Sequence, residues 1–392
     1  MKTTSSSRPS IKIEVVRKKK WSVRATPGGA RELVHTGSAA ERVGLHPGQV
    51  RVAGEMLMMR REFLGVLSWA GAWSFPLLGQ QFKRVPRIGF LGLGSPASHA
   101  EFVEAFRRGL RDYGYIEPET IFVEYRWADG HYDRLPQLAT ELTRENVDLI
   151  VTYGSEGALV AKRTITTLPV VAVAVDDMVG AGVVANLARP EANVTGLSLL
   201  GTETSEKRLS LLRDTIPDLG KVAIVWNPGN PSMALQFKAV EAAARTMGIE
   251  ILDCHYGSVA EFPRAISAAD QAGAEALFTA DDAILLAHAV KLIGLAREYR
   301  LPVISEFREI TQAGGLWSYG PNLRHIYHRA ARFVDKILKR AKPSDLPVEQ
   351  PTRFEFVINL QTARFLGREL PPALLAHADE VIDRRRARRQ TF

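Results

Sequence analysis

The sequence predicts an α/β chain of two lobes, each a parallel sheet flanked by helices, and three observations predict it. Short apolar runs alternate with segments whose apolar residues recur at helical spacing. Some of the runs, such as LPVVAVAV at 168–175, are continuously apolar, as strands buried on both faces of a parallel sheet are. The rhythm also restarts after Asn193-Val194-Thr195-Gly196, giving two similar halves of about 110 residues.

In the first half, 87–95 is a strand ending in glycines. It leads to a helix over 99–113, with Phe102, Phe106, Leu110 and Tyr113 on one face. TIFVEY at 120–125 alternates as a strand does, 132–143 is helical, and 147–155 is a strand entering a turn. A short helix at 158–163 and the apolar strand at 168–176 complete this half. The second half reads helix 205–214, strand 221–227, helix 233–247, strand 250–254, helix 263–272, strand 276–281, helix 283–299 and strand 301–306. A tail over 315–382 crosses between the halves, with a helix at 326–339, a strand at 354–358 and a short helix at 362–366. The expected organisation is lobe 1 over 86–194, lobe 2 over 196–314, completing segments over 315–382 and a basic tail over 383–392.

The segment upstream of the first lobe is of another kind. At 58–81, Arg60 and Arg61 precede an apolar stretch too short to span a bilayer, which takes about 20 residues. A basic start followed by a short apolar stretch is an export signal, here of the twin-arginine type, and points to the periplasm. Residues 1–57 show no sustained helical or strand period, and read as a mis-called or disordered extension with the working start expected at Met58 or Met59; the alternative is a small folded module, from the strand-and-turn character of Glu32-Leu33-Val34 and 43–50. The net charge of +8 belongs to this region: residues 1–79 hold 13 Lys+Arg against 5 Asp+Glu, and the remainder holds 38 of each sign. The high pI therefore carries no argument for nucleic acid, and the arginine run at 384–389 reads as a solvated tail. Cys254 is the only cysteine, which excludes an intramolecular disulfide and a cysteine zinc cluster.

Ligands of open parallel sheets sit beyond the carboxyl ends of the strands. Two facing lobes then make a cleft lined by Ser95, Ser155, Asp176, Asp177, Asn227, Asn230, Asp281, Asp282, Glu306, Phe307 and Tyr319. Paired carboxylates at 176–177 and 281–282 suit an ammonium group or helix caps. Ser95 suits a cap or a donor to a carboxylate. Gly89-Phe90-Leu91-Gly92-Leu93-Gly94 has the wrong order for a dinucleotide fingerprint, and Gly154-Ser155-Glu156-Gly157 lacks a nucleophile elbow's spacing. His325 and His328 lack the carboxylate offset of a zinc helix. No catalytic set, metal or cofactor is expected.

Several segments together carry a family resemblance: RREFLG at 60–65, LARPEANVTG at 187–196, EKRLSLL at 206–212, WNPGNP at 226–231, GGLWSYG at 314–320, the run from YHRAARF to NLQTA at 327–363, and PPALLAHADEVI at 371–382. Over roughly 58–382 the chain resembles the solute-binding component of bacterial ABC importers, in the tryptophan/tyrosine-type group. The resemblance implies two Rossmann-like lobes with parallel sheets joined by a three-strand hinge, the type I periplasmic binding protein architecture. It implies a monomeric protein closing around a small solute, such as an aromatic amino acid, and presenting it to a membrane permease with its ATPase. Ser95, Ser155, Asp177, Asn227, Asn230, Asp281 and Tyr319 are the positions implied to hold that solute. The family's D-P-V reads Asp177-Met178-Val179 here, which alters the support of Asp177 and the pocket wall. A receptor's sensing module, or an enzyme, on the same scaffold are the other readings. Neighbouring permease or kinase genes, and a nucleophile or acid in the cleft, would distinguish them.

Overall fold

A computed structural model describes residues 84–383, except 191 and 281, and the backbone of 21–25 and 31–35. The expected export signal at 58–81, Asp281 and the arginine run at 384–389 lie outside the described residues. The chain divides into two units, Met1–Gly79 and Gln80–Phe392. In the first, β1 (Trp21–Ala25) pairs antiparallel with β2 (Arg31–His35), Trp21 opposite His35.

The second unit begins with β3 (Arg87–Gly92), whose side chains are almost all buried. It is followed by α1 (Ala100–Asp112), β4 (Phe122–Trp127), α2 (Leu135–Arg144), β5 (Leu149–Tyr153), α3 (Gly154–Thr164), β6 (Val170–Val175) and β7 (Val194–Ser198). These strands form one parallel sheet in the order β4-β3-β5-β6-β7. The continuous apolar runs lie in its centre, and the alternating β4 lies at its edge, half exposed. Strand β7 does not stand out in the sequence because Gly196 interrupts its apolar run.

The chain then enters α4 (Gly201–Thr215), β8 (Lys221–Trp226), α5 (Pro231–Met247), β9 (Glu250–His255), α6 (Phe262–Gln271), β10 (Ala276–Thr279), α7 (Ala283–Ala287), α8 (Ala289–Glu298), β11 (Val303–Ser305), α9 (Arg308–Ala313) and β12 (Trp317–Gly320). After α10 (Leu323–Leu338) come β13 (Glu355–Asn359), α11 (Leu360–Phe365), α12 (Pro372–Ala376) and β14 (Glu380–Ile382). The second sheet runs β14-β13-β12-β11-β10-β8-β9, parallel except for the antiparallel β12–β13 pair. The helix expected over 283–299 is two helices, broken at His288.

Three segments connect the sheets. The first leaves β7 through Leu199 and Leu200, the latter at φ 64°, a left-handed conformation uncommon for leucine. The second leaves β12 through Pro321 and Asn322 into α10, which packs on α1 of the first lobe. The third runs back from Glu349, whose backbone pairs with Gly196 and Ser198 beside β7, to β13.

The α1–α10 contact shows how the tail completes the first lobe. Phe102, Phe106 and Leu110 recur every fourth residue on α1 and are fully buried. Phe102 stacks on Tyr327 of α10 at 5.2 Å between ring centroids. Gly109 lets the helices meet: a Cβ there would lie 2.1 Å from the His328 carbonyl oxygen. Gly109→Ala is expected to destabilise the protein by about 1–3 kcal/mol, read as a lower melting temperature. An unchanged melting temperature would mean the helices separate at no cost. Among the described residues no helix is long and apolar enough to cross a membrane.

Candidate functional site

The carboxyl ends of β3, β5, β6, β8, β10 and β11 converge on a cavity of about 50 Å³ between the lobes. Leu93 follows β3, and Tyr153 ends β5. Asp176 follows β6, Asn230 and Ser232 follow β8, Asp282 follows β10, and Phe307 follows β11. Tyr327 and Leu323 reach it from α10. A wider cleft of about 660 Å³ adjoins it, and among the described residues Glu156 alone lines both.

Helix α3 begins at Gly154, four residues before the expected start, which puts Ser155 and Glu156 in its first turn. No side chain caps that turn, so its amides remain available to an anion. The Ser155 hydroxyl meets that of Ser232 at 2.6 Å, joining first-lobe α3 to second-lobe α5. Asn230 caps α5, its side-chain oxygen accepting from the Ser232 and Met233 amides.

Asp176 is the most exacting group in the cavity. It is 6% exposed. Its Oδ2 accepts from Gln236 Nε2 at 2.8 Å and from the Thr202 hydroxyl at 3.3 Å, both from the second lobe. Its Oδ1 is buried against the Gly201 backbone with no side-chain partner. Burial pushes its carboxyl up to about 6, against the opposing pull of the Gln236 hydrogen bond and the Arg208 charge. Glu156 also carries a buried oxygen, Oε1, without a partner. Burial, then the Asp282 charge, raises it to about 8. His99 is buried against Tyr153 at 4.3 Å between ring centroids, and burial lowers its pKa to about 4, so its imidazole is neutral. Among the described residues no lysine or arginine lines the inner cavity.

The expected site residues divide between this cavity and its surroundings. Ser155, Asp176, Asn230 and Phe307 line the inner cavity, and Asn227 lines the outer cleft. Asn227 also donates to Asp282 Oδ2 at 3.2 Å, while Asp282 Oδ1 accepts from Tyr256 and caps α7. Asp177 faces elsewhere: its Oδ1 accepts from the Val179 and Gly180 amides, closing its own turn. Met178 is fully buried in the first-lobe core and is not part of the cavity wall. Ser95 is spent on a local turn with Ser98. Glu306 lies behind the cavity in an ion pair with Arg208, and Tyr319 stacks on Phe354 within the second lobe. Asp281 lies outside the described residues. The strand-end loops expected at 94–99 and 153–156 do bring His99 and Tyr153 to the cavity, though neither was singled out, and the sequence reading missed Gln236 and Tyr327.

A family model described as ABC transporter substrate binding protein matches residues 93–382. A curated protein named tyrosine-binding protein, from Clostridioides difficile strain R20291, is 22% identical over 284 residues, covering 72% of this chain and 81% of that protein. Among solved structures, a conserved domain protein of Vibrio cholerae is 25% identical with a TM-score of 0.73, over 76% of this chain and all of that one. An ABC domain of Streptococcus pneumonia in complex with L-Trp is 21% identical with a TM-score of 0.71, over 76% of this chain and 99% of that one. The two-lobed fold matches these relatives, and the family match spans both lobes and the segments that connect them. The chain belongs to the ABC transporter substrate binding protein family.

Proposed function

We propose that this protein captures an amino acid by closure of its two lobes and delivers it to the membrane permease of an ABC importer. On this reading the signal at 58–81 directs it to the periplasm, where it acts as a monomer. The observation that carries the substrate class is the buried Asp176 carboxylate, one oxygen of which has no side-chain partner, in a cavity that no described lysine or arginine lines. A buried carboxylate short of partners is costly, and an ammonium group satisfies it. The uncapped first turn of α3, with the Ser155 and Ser232 hydroxyls, suits the solute's carboxylate. Tyr153, Phe307, Tyr327 and Leu286 offer the apolar surface for a side chain, aromatic ones included. The tyrosine- and tryptophan-named relatives support this class. The lobes touch directly at Ser155 and Ser232, so the solute enters as they part and replaces that contact as they close.

The test is calorimetry and thermal shift of the purified protein with the natural amino acids, alongside L-tryptophan analogues lacking the amine or the carboxylate. Stabilisation by an amino acid and loss of it with the deaminated analogue supports the reading. Equal stabilisation by the deaminated analogue sinks the ammonium assignment.

A further inference from the structure

Arg208, in the middle of α4, is fully buried, and its charge is held through the two Nη atoms while Nε is left without a hydrogen-bond partner. Its Nη2 donates to the Gly201 carbonyl at 3.0 Å, the Ser205 hydroxyl at 3.2 Å and Gln236 Oε1 at 3.3 Å. Its Nη1 donates to the Thr279 carbonyl at 3.4 Å, and Glu306 lies 3.8 Å away. The guanidinium lies over the Phe278 ring at 4.8 Å.

The consequence falls on Gln236. An amide can present either end, but a guanidinium only donates, so it fixes the Gln236 oxygen towards itself. The amide nitrogen is then held towards Asp176, across the cleft, at 2.8 Å. Gly201 leaves room for this junction. A Cβ there would stand 2.1 Å from Asp176 Oδ1, 2.6 Å from Glu306 Oε2 and 2.7 Å from Gln236 Nε2.

We propose that Arg208 is a positioning residue for lobe closure: through Gln236 it holds a hydrogen-bond donor on the second lobe aimed at Asp176 on the first. Neither residue needs to touch solute for this. The inference rests on the closure reading proposed above. The charged and titratable groups around the junction are Glu203 and Arg208 on α4 and Glu306 after β11, with His99, Glu156 and Asp282 on the cavity walls.

Gln236→Glu tests the relay. The new carboxyl still accepts from Arg208 but opposes Asp176 while ionised, and it donates again once protonated. Closure can be read without solute by converting Ser155 and Ser232 to cysteines and timing their disulfide formation with diamide as oxidant. Each Gln236 variant is compared with this parent pair at the same pH, which cancels changes in thiol reactivity.

At pH 7.5 Gln236→Glu should slow cross-linking about tenfold, and the ratio should recover towards one at pH 5.5. Gln236→Leu, which removes the donor without adding charge, should slow it at both pH values. Arg208→Lys, which keeps the charge but loses the fork, should slow it while circular dichroism stays native. Equal rates in Gln236→Leu and the parent overturn the relay, as does a Gln236→Glu defect that is the same at both pH values. Where Gln236→Glu fails to fold, Gln236→Leu decides the matter. Absence of cross-linking in the parent pair overturns lobe closure itself, and the relay with it.

Discussion

Asp176→Asn is expected to weaken amino-acid binding by about 100-fold, within the 2–5 kcal/mol lost when one partner of a buried charged pair is removed. The substitution keeps the side chain's shape, so the loss falls on charge. Oδ1 of Asp176 has no side-chain partner, while Oδ2 is already held by Gln236 and Thr202. An amide in its place either points an N–H at the solute's ammonium or opposes the Gln236 donor. Fold stability should move the other way. The folded-state pKa of about 6 lies above the ordinary aspartate value of 3.8, so stability is full below the lower value and is lost as pH rises through the upper one. Removing the ionisable group therefore leaves the melting temperature at pH 7.5 equal or higher. In the parent, solute affinity should fall as pH drops below about 6, where Asp176 takes up a proton. Calorimetry at pH 7.5 and 5 checks both statements. Unchanged affinity in Asp176→Asn would remove this carboxylate from the site.

How far the site was legible in the sequence turns on this same strand. The apolar run ending at Val175 announced a buried strand and placed two carboxylates at its mouth. It did not say which one faces the cleft, because the run is irregular near its end. Ala174 takes φ 53°, and the β6–β7 register slips between Ala172 and Val175. Alternation therefore fails there: Asp176 turns into the cavity and Asp177 turns back to its own loop. Elsewhere the strand-end rule located Ser155, Asn230 and Phe307, because a parallel sheet sends every such loop to one edge. It was blind to Gln236 and Tyr327, which reach the cavity from mid-helix. Their place depends on how α5 and α10 pack across the two lobes, and no local pattern carries that. Tyr319 failed for the opposite reason. It has the right composition beside a strand end, but its ring is taken up by Phe354 and Phe356.

Glu156→Gln should have the opposite character to Asp176→Asn, large for stability and small for binding. Glu156 faces Asp282 across the lobe seam, and with a pKa of about 8 it holds its proton at neutral pH. Glutamine copies that neutral form, so amino-acid affinity at pH 7 should stay within about threefold of the parent. The folded-state pKa exceeds the ordinary glutamate value of 4.5, so the folded protein binds more protons than the unfolded chain between the two values. Parent stability therefore falls as pH rises from about 4.5 to about 8, and is level outside that window. The advantage of Glu156→Gln should grow across the same window, to about 2–3 kcal/mol once the side chain's partial exposure is allowed for. Melting temperatures of both proteins at pH 4.5, 6, 7 and 9 check this. Parallel curves would show that Glu156 is solvated rather than held in the seam. Diverging melting curves with matched affinities would separate the two carboxylates by role, Asp176 for the solute's charge and Glu156 as a neutral wall between the inner cavity and the outer cleft.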